Sequence, residues 1–227
     1  MNKRPIIVFD LDGTLVDSAP DLAATMNELL RRRGRDRLAL PQVRSMIGRG
    51  AKVLMQLGMT ATGTPASPSE LDEMFDEFIA YYGQNIANDS RFYPGVPEAL
   101  DRLDARDFTL ALCTNKPESL ARGLVQALGI EDRFASLLGG DSLAVRKPDP
   151  EHLLKTIALA GGDGAPALMV GDSVTDVSTA RAANLPVIGV SFGYTETPMV
   201  ELAPDQVIDH FDELDGAISE VFGLSSA

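Results

Sequence analysis

The segment PIIVFDLDGT, residues 5–14, joins a short apolar run to two closely spaced aspartates. The run is rich in β-branched residues and predicts a buried strand whose carboxyl end meets an acidic loop. Residues two apart on a strand share a face, so the carboxylates of Asp10 and Asp12 can approach one point while Leu11 points into the core. Two such carboxylates repel each other unless a cation or a shared proton relieves them. Taken alone, the segment fits an ordinary aspartate-rich turn equally well.

The rest of the chain divides into two patterns around this segment. From Ser18 to about Asp89 the apolar residues recur at helical spacing, which predicts an inserted all-helical cap. After residue 95, apolar strand candidates alternate with amphipathic helices, which predicts a mostly parallel sheet with helices on both faces. The sequence therefore predicts an α/β fold, with a Rossmann-like doubly wound sheet and a helical cap. The predicted domains are a discontinuous core, residues 1–16 and 90–227, and a cap, residues 17–89.

Polar clusters follow the predicted strands, at the sheet edge where open α/β sheets bind their ligands. Besides the two aspartates of residues 10–12, these clusters contain Thr114 and Asn115, then Lys147, then Asp172, Ser173 and Asp176. Each cluster alone has an ordinary alternative, such as a helix cap or a surface lysine. Together they bring four carboxylates into one cleft, and these cannot all remain ionised without a cation. Magnesium is the natural ion, because it binds a few carboxylates, keeps several waters and bridges to phosphate.

In these motifs the sequence resembles the haloacid dehalogenase superfamily, specifically its phosphatases with a helical cap inserted after the first strand. Residues 10–14 match the first motif of that family, Thr114 the second, Lys147 the third and residues 171–176 the fourth. The resemblance spans nearly the whole chain. Within the superfamily, the segments most similar to phosphoglycolate phosphatases are residues 9–21, 46–51 and 114–117.

The resemblance implies a magnesium-dependent phosphomonoester hydrolase. Asp10 would attack phosphorus and form an aspartyl-phosphate, and Asp12 would serve as general acid and then as general base. The implied metal ligands are Asp10, Asp172 and the backbone carbonyl of Asp12; the implied phosphate ligands are Thr114, Asn115 and Lys147, with Ser173 and Asp176 behind them.

The cap is expected to select the substrate. Arg49 lies between two glycines and is equally compatible with contacting a substrate carboxylate and with an exposed turn. The resemblance favours 2-phosphoglycolate, while another small ester, a sugar phosphate, pyrophosphate or a sugar phosphomutase reaction stays open. A dehalogenase is disfavoured because it needs neither Asp12 nor magnesium. A non-catalytic regulatory protein is disfavoured because it has no need of the complete set of motifs.

The composition limits the expected partners. The chain has 20 basic and 33 acidic residues and a formal charge of −13, which disfavours binding to nucleic acid. No apolar stretch predicts a signal peptide or a membrane span. The single cysteine, Cys113, indicates a reducing, cytoplasmic compartment. The expected partner is a small phosphorylated metabolite, and a monomer and a homodimer both fit the sequence.

Overall fold

The computed structural model describes residues 3–162, 164–195 and 197–224. The strands in this part of the chain are β1 (Ile6–Phe9), β2 (Val16–Asp17), β3 (Arg91–Phe92), β4 (Thr109–Cys113), β5 (Phe134–Leu138), β6 (Ala167–Gly171), β7 (Val187–Val190) and β8 (Gln206–Ile208). Six of them form one sheet in the order β5-β4-β1-β6-β7-β8, in which all neighbours are parallel. The other two, β2 and β3, pair antiparallel in a short ribbon.

The central strand β1 is buried along its whole length. Ile7 and Phe9 belong to the hydrophobic cluster on one face of the sheet, and Ile6 and Val8 belong to the cluster on the other face. Because side chains alternate between faces, a strand covered on both sides needs an apolar residue at every position. This double burial explains the uninterrupted apolar run before Asp10.

The inserted segment consists of helices, as predicted. They are α1 (Ala19–Arg32), α2 (Leu40–Arg44), α3 (Ala51–Ala61) and α4 (Pro68–Gln84). Their apolar faces form a hydrophobic cluster of their own, in which Met26, Met55 and Phe78 are almost completely enclosed. In α4 the buried residues Met74, Phe78 and Tyr82 recur every fourth position and therefore lie on one face.

The remaining helices cover both faces of the sheet. They are α5 (Val96–Ala105), α6 (Glu118–Ala127), α7 (Pro150–Leu159), α8 (Val174–Ala182) and α9 (Leu214–Phe222). Helices α5, α6 and α9 supply buried residues to the cluster that contains Phe9, whereas α7 and α8 supply them to the cluster that contains Val8. The predicted doubly wound α/β fold is confirmed. The edge strands β5 and β8 were not expected from the sequence.

The chain leaves and re-enters the sheet through the β2–β3 ribbon. In that ribbon Val16 is paired with Phe92. The buried carboxylate of Asp21, in the first turn of α1, accepts hydrogen bonds from the backbone N–H of Asp89 at 3.0 and 3.1 Å. It also accepts from the N–H of Ser90 at 2.8 Å and from the Ser90 hydroxyl at 2.6 Å. Because both connections meet here, we propose residues 17–89 as a cap unit, with the ribbon as its junction to the core. None of the described helices has the length and apolar character needed to cross a membrane.

Candidate active site

Three neighbouring strands deliver polar residues to one edge of the sheet. Asp10 follows β1 directly, Thr114 follows β4, and Asp172 follows β6. All three side chains are buried. The carboxyl ends of parallel strands meet at the same edge, so the topology itself brings together residues that are far apart in sequence. Lys147 reaches this edge from the loop before α7 and is also buried.

Three buried carboxylates form a compact cluster. Asp10, Asp172 and Asp176 each offer an oxygen, and these oxygens lie within 4.8 Å of one another. Burial raises the pKa of Asp10 to about 6, although the Lys147 ammonium acts in the opposite direction. Burial, together with the charges of Asp176 and Asp10, raises the pKa of Asp172 well above its ordinary value. Burial and mutual repulsion thus both oppose the ionisation of Asp10 and Asp172. A divalent cation binds such oxygen donors and would relieve the repulsion, so this cluster could hold a divalent cation.

Close packing fixes the Asp172 carboxylate. It accepts a hydrogen bond from the Thr14 hydroxyl at 3.1 Å and another from the Tyr194 backbone N–H at 2.7 Å. Gly13 has a φ of +91°, and a Cβ atom at this position would lie 2.4 Å from Asp172 Oδ2. A Cβ on Gly193 would lie 2.1 Å from the Cβ of Asp172. The glycine of the first motif therefore provides both the turn and the space for this carboxylate.

Lys147 lies between two members of the carboxylate cluster. Its Nζ atom is 3.0 Å from Asp10 Oδ1 and 2.6 Å from Asp176 Oδ1. Burial opposes its charge, but the two carboxylates outweigh this effect and raise the pKa of Lys147, so the ammonium remains protonated. The other oxygen of Asp176 accepts from the N–H and the hydroxyl of Ser173, at 3.0 and 2.6 Å. Ser173 thus holds Asp176, which in turn contacts Lys147. The metal-site prediction left Asp176 out, whereas its carboxylate lies within the cluster.

Thr114 and Asn115 differ in what they offer to a ligand. The Thr114 hydroxyl oxygen accepts from the N–H of Lys116 at 3.3 Å, and its hydrogen has no acceptor among the described residues. The Asn115 side-chain amide donates to the carbonyls of Lys147 and Gly48, at 3.0 and 3.3 Å. Its amide hydrogens therefore connect the Lys147 loop with the cap loop. That Asn115 binds phosphate stays a prediction. The backbone N–H of Asn115 donates to none of the described residues.

Asp12 faces a lysine that the sequence analysis did not single out. Both oxygens of the Asp12 carboxylate lie 3.1 Å from the Nζ atom of Lys116, and one of them accepts from the Ser18 hydroxyl. Lys116 also donates to the Tyr82 hydroxyl at 2.9 Å, and its Nζ atom lies 4.3 Å from the centre of the Tyr82 ring. Burial opposes the charge of Lys116, but Asp12 and Tyr82 more than offset it and raise its pKa. The sequence feature that could have indicated Lys116 as a site residue is its position, two residues after Thr114 and just beyond a strand end.

Comparison with known proteins agrees with this geometry. The family described as haloacid dehalogenase-like hydrolase matches residues 5–184. The chain belongs to this family. A curated phosphoglycolate phosphatase from Mesorhizobium japonicum is 45% identical over 218 residues, covering 96% of each chain. One from Agrobacterium fabrum is 44% identical, covering 95% of this chain and 93% of its own.

A solved structure extends the likeness to three dimensions. It is described as a predicted phosphoglycolate phosphatase from Haemophilus somnus 129pt, and it is 35% identical to this chain with a TM-score of 0.87. The match covers 96% of this chain and 99% of the other. The family that the sequence motifs predicted is therefore confirmed.

In this haloacid dehalogenase-like hydrolase, a small cavity lies between the helical insert and the strand ends. Its volume is about 40 Å³, room for roughly three water molecules at about 10–15 Å³ each. We call it the inner cavity, and its walls include Asp12, Thr114, Lys116, Leu22, Leu54 and Phe78. Arg49 is exposed and is not among the lining residues. It borders two outer clefts instead, one shared with Asp172 and the other with Lys147.

Proposed function

We propose that this hydrolase is a magnesium-dependent phosphatase that converts 2-phosphoglycolate into glycolate and phosphate. The observation that carries the proposal is the position of Asp10, which is buried beside the Lys147 ammonium and shares a cluster with two further carboxylates that could hold a cation. A nucleophilic carboxylate beside a cation site and a fixed positive charge suits attack on an anionic phosphate. The shared name of the relatives supports the choice of substrate.

Asp10 is proposed as the nucleophile. Its Oδ1 atom accepts from the N–H of Leu11 at 2.7 Å and lies 3.0 Å from Lys147. Its Oδ2 atom has no hydrogen-bond partner among the described residues and is therefore free to attack. Attack by this oxygen forms a bond to phosphorus while the bond between phosphorus and the ester oxygen breaks. Water then hydrolyses the aspartyl-phosphate and regenerates the carboxylate.

Asp12 is proposed as the general acid and base. It would give a proton to the departing glycolate oxygen and later take one from the water that attacks the intermediate. The Ser18 hydroxyl and the Lys116 ammonium hold its carboxylate on the side of the inner cavity. Asp10 would thus attack the phosphorus and Asp12 would protonate the ester oxygen of the same breaking P–O bond.

The remaining residues neutralise and orient the phosphoryl group. Asp10 and Asp172 would hold magnesium together with the backbone carbonyl of Asp12, and the carboxylate of Asp176 is close enough to take part. When bound, the ion offsets the repulsion between an anionic nucleophile and an anionic phosphate. Lys147 and the free hydroxyl hydrogen of Thr114 would bind phosphoryl oxygens.

The test measures release of inorganic phosphate from 2-phosphoglycolate by wild type and by Asp10→Asn. Loss of the nucleophile should lower kcat by at least about 1,000-fold. Asp132→Asn makes the same chemical change at an exposed position and should keep wild-type activity. EDTA should abolish phosphate release by the wild type, and added magnesium should restore it. Substantial metal-dependent turnover by Asp10→Asn contradicts the mechanism.

A substrate panel separates the alternatives. Sugar phosphates, pyrophosphate and 2-phosphoglycolate are compared by kcat/KM, without any bisphosphate activator. We expect 2-phosphoglycolate to rank first, because the small inner cavity leaves little room for a sugar leaving group. A higher kcat/KM for a hexose phosphate would overturn the choice of substrate. Conversion of a sugar phosphate into its isomer without net release of phosphate, seen only after a sugar bisphosphate is added, would indicate a mutase.

A further inference from the structure

The inner cavity contains a buried positive charge that the proposed mechanism leaves without a ligand. We propose that the Lys116 ammonium forms a subsite for an anionic group on the substrate's leaving portion. The identity of that group rests on the proposed function, under which it is the carboxylate of 2-phosphoglycolate. The subsite would make the enzyme selective for phosphate esters that carry a carboxylate next to the ester carbon.

The first argument is the charge of the cavity walls. Among the lining residues in the described part of the chain, Lys116 is the only one with a positive charge. Leu22, Leu54 and Phe78 make other parts of the wall apolar. A carboxylate that enters such a space without an opposite charge pays a large desolvation penalty, so an anionic leaving group needs this ammonium. The exposed Arg49 lies outside the cavity.

The second argument is distance. Lys116 Nζ lies 3.1 Å from both oxygens of Asp12, which is proposed to protonate the ester oxygen. In 2-phosphoglycolate a single methylene separates that oxygen from the carboxylate. An ester oxygen hydrogen-bonded to Asp12 therefore carries its carboxylate within reach of the ammonium. An ammonium has three hydrogens, and keeping one of its two contacts with Asp12 frees a hydrogen for the ligand.

The third argument is that a residue outside the cavity walls holds the lysine in place. The Tyr82 hydroxyl is fully buried and accepts from Lys116 at 2.9 Å. Tyr82 is not among the lining residues of the inner cavity, whereas Lys116 is, so the hydroxyl and ring of Tyr82 fix the position of the ammonium and leave the ligand contact to Lys116.

A simpler role for Lys116 is to hold Asp12 in place. This role predicts the same loss of activity for every substrate after Lys116 is removed, because every substrate uses Asp12. The subsite predicts a loss confined to substrates with the carboxylate. A pair of substrates that differ only in that group therefore separates the two roles.

The kinetic test compares 2-phosphoglycolate with ethyl phosphate, in which a methyl group replaces the carboxylate. The wild type should prefer 2-phosphoglycolate in kcat/KM. Lys116→Met should reduce this preference by about 10- to 100-fold, mainly through a higher KM for 2-phosphoglycolate. Lys116→Arg keeps a positive charge and should retain part of the preference. Lys155→Met removes one exposed lysine charge and should leave the preference unchanged.

A binding test is independent of turnover and uses the magnesium-loaded protein. Calorimetry compares 3-phosphonopropionate with propylphosphonate, which lacks the carboxylate. The wild type should bind 3-phosphonopropionate at least about 10-fold more tightly, and Lys116→Met should lose this difference. If the wild type does not hydrolyse 2-phosphoglycolate, the proposed substrate fails, yet this binding pattern still supports the subsite. Equal affinity of the wild type for the two phosphonates, or an unchanged difference in Lys116→Met, overturns it.

Discussion

Replacing Asp10 by Asn should stabilise the metal-free protein while it removes the activity. Asp10 is 6% exposed, and one of its oxygens lies within 4.8 Å of oxygens of Asp172 and Asp176. Burial raises its pKa from the ordinary value of 3.8 to about 6, against the opposing effect of Lys147. An acid whose pKa is raised by folding destabilises the folded state once the unfolded chain ionises. This penalty grows between pH 3.8 and about 6 and is constant at higher pH.

The magnitude follows from the size of this pKa change. A rise from 3.8 to about 6 corresponds to about 3 kcal/mol, at about 1.4 kcal/mol per pH unit. Asn carries no charge, and its amide can donate to the neighbouring carboxylates. Lys147 keeps Asp176 as a partner at 2.6 Å, so its own charge remains compensated. The free energy of unfolding should therefore rise by about 3 kcal/mol at pH 8, a gain of roughly 6–12 °C in Tm for a chain of this length.

The assay is urea unfolding of both proteins in EDTA, followed by circular dichroism at pH 8 and at pH 4. At pH 4 the gain should fall below about 1 kcal/mol, because the unfolded chain is then only partly ionised at this position. Asp12→Asn is the matched control. Its carboxylate is already paired with Lys116 and Ser18, so this variant should lose stability. Magnesium should reduce the difference in free energy of unfolding between wild type and Asp10→Asn. The ion stabilises the folded state that binds it, and the wild type keeps the proposed ligand Asp10.

Two results would refute this reasoning. One is an Asp10→Asn variant that is no more stable than the wild type at pH 8 in EDTA. The other is a gain as large at pH 4 as at pH 8, since a gain that does not depend on pH cannot come from the charge of Asp10.

Three further predictions concern the packing around the site. Gly13→Ala should weaken magnesium binding by at least about 10-fold in calorimetry, because its Cβ would lie 2.4 Å from Asp172 Oδ2. Asp21→Asn should lower the free energy of unfolding in urea by about 1.5–3 kcal/mol. The Asp21 carboxylate accepts from both the N–H and the hydroxyl of Ser90, and the Asn amide cannot accept all the hydrogen bonds that the carboxylate accepts. Burial lowers the pKa of His152 below 6.5, so this imidazole should cost the folded state free energy as the pH falls below 6.5, when it ionises more readily in the unfolded chain. Between pH 7.5 and 5.5 in the same urea assay, the free energy of unfolding of His152→Gln should therefore change in the stabilising direction relative to that of the wild type.

The fold was predictable wherever burial leaves a regular pattern in the sequence. β1 is buried on both faces and is wholly apolar, and α4 repeats its buried residues at helical spacing. The edge strands β5 and β8 leave no such pattern. Each is only partly buried, and β8 contains just three residues. An edge strand has one neighbour and is open to solvent, so its residues are chosen less strictly.

The sequence predicts which residues lie near one another in the site, but it predicts less well which hydrogen bonds and ion pairs they form. Alternating strands and helices imply a parallel sheet, and its topology brings Asp10, Thr114 and Asp172 to one edge. The choice of hydrogen-bond partner depends on packing between distant segments. Asp12 and Lys116 are 104 residues apart, and nothing local to Asp12 indicates that its carboxylate faces that lysine.

The contacts of Asn115 and Lys116 give the cap a direct part in the chemistry. These residues directly follow Thr114, and each contacts the cap: Asn115 donates to the Gly48 carbonyl, and Lys116 donates to the Tyr82 hydroxyl. A cap that moved away would break both contacts at once. Lys116 would then lose one of its partners, while its contacts with Asp12 lie within the core. The proposed cap therefore completes the surroundings of the proposed acid through Tyr82, and it also supplies walls of the inner cavity such as Leu54 and Phe78.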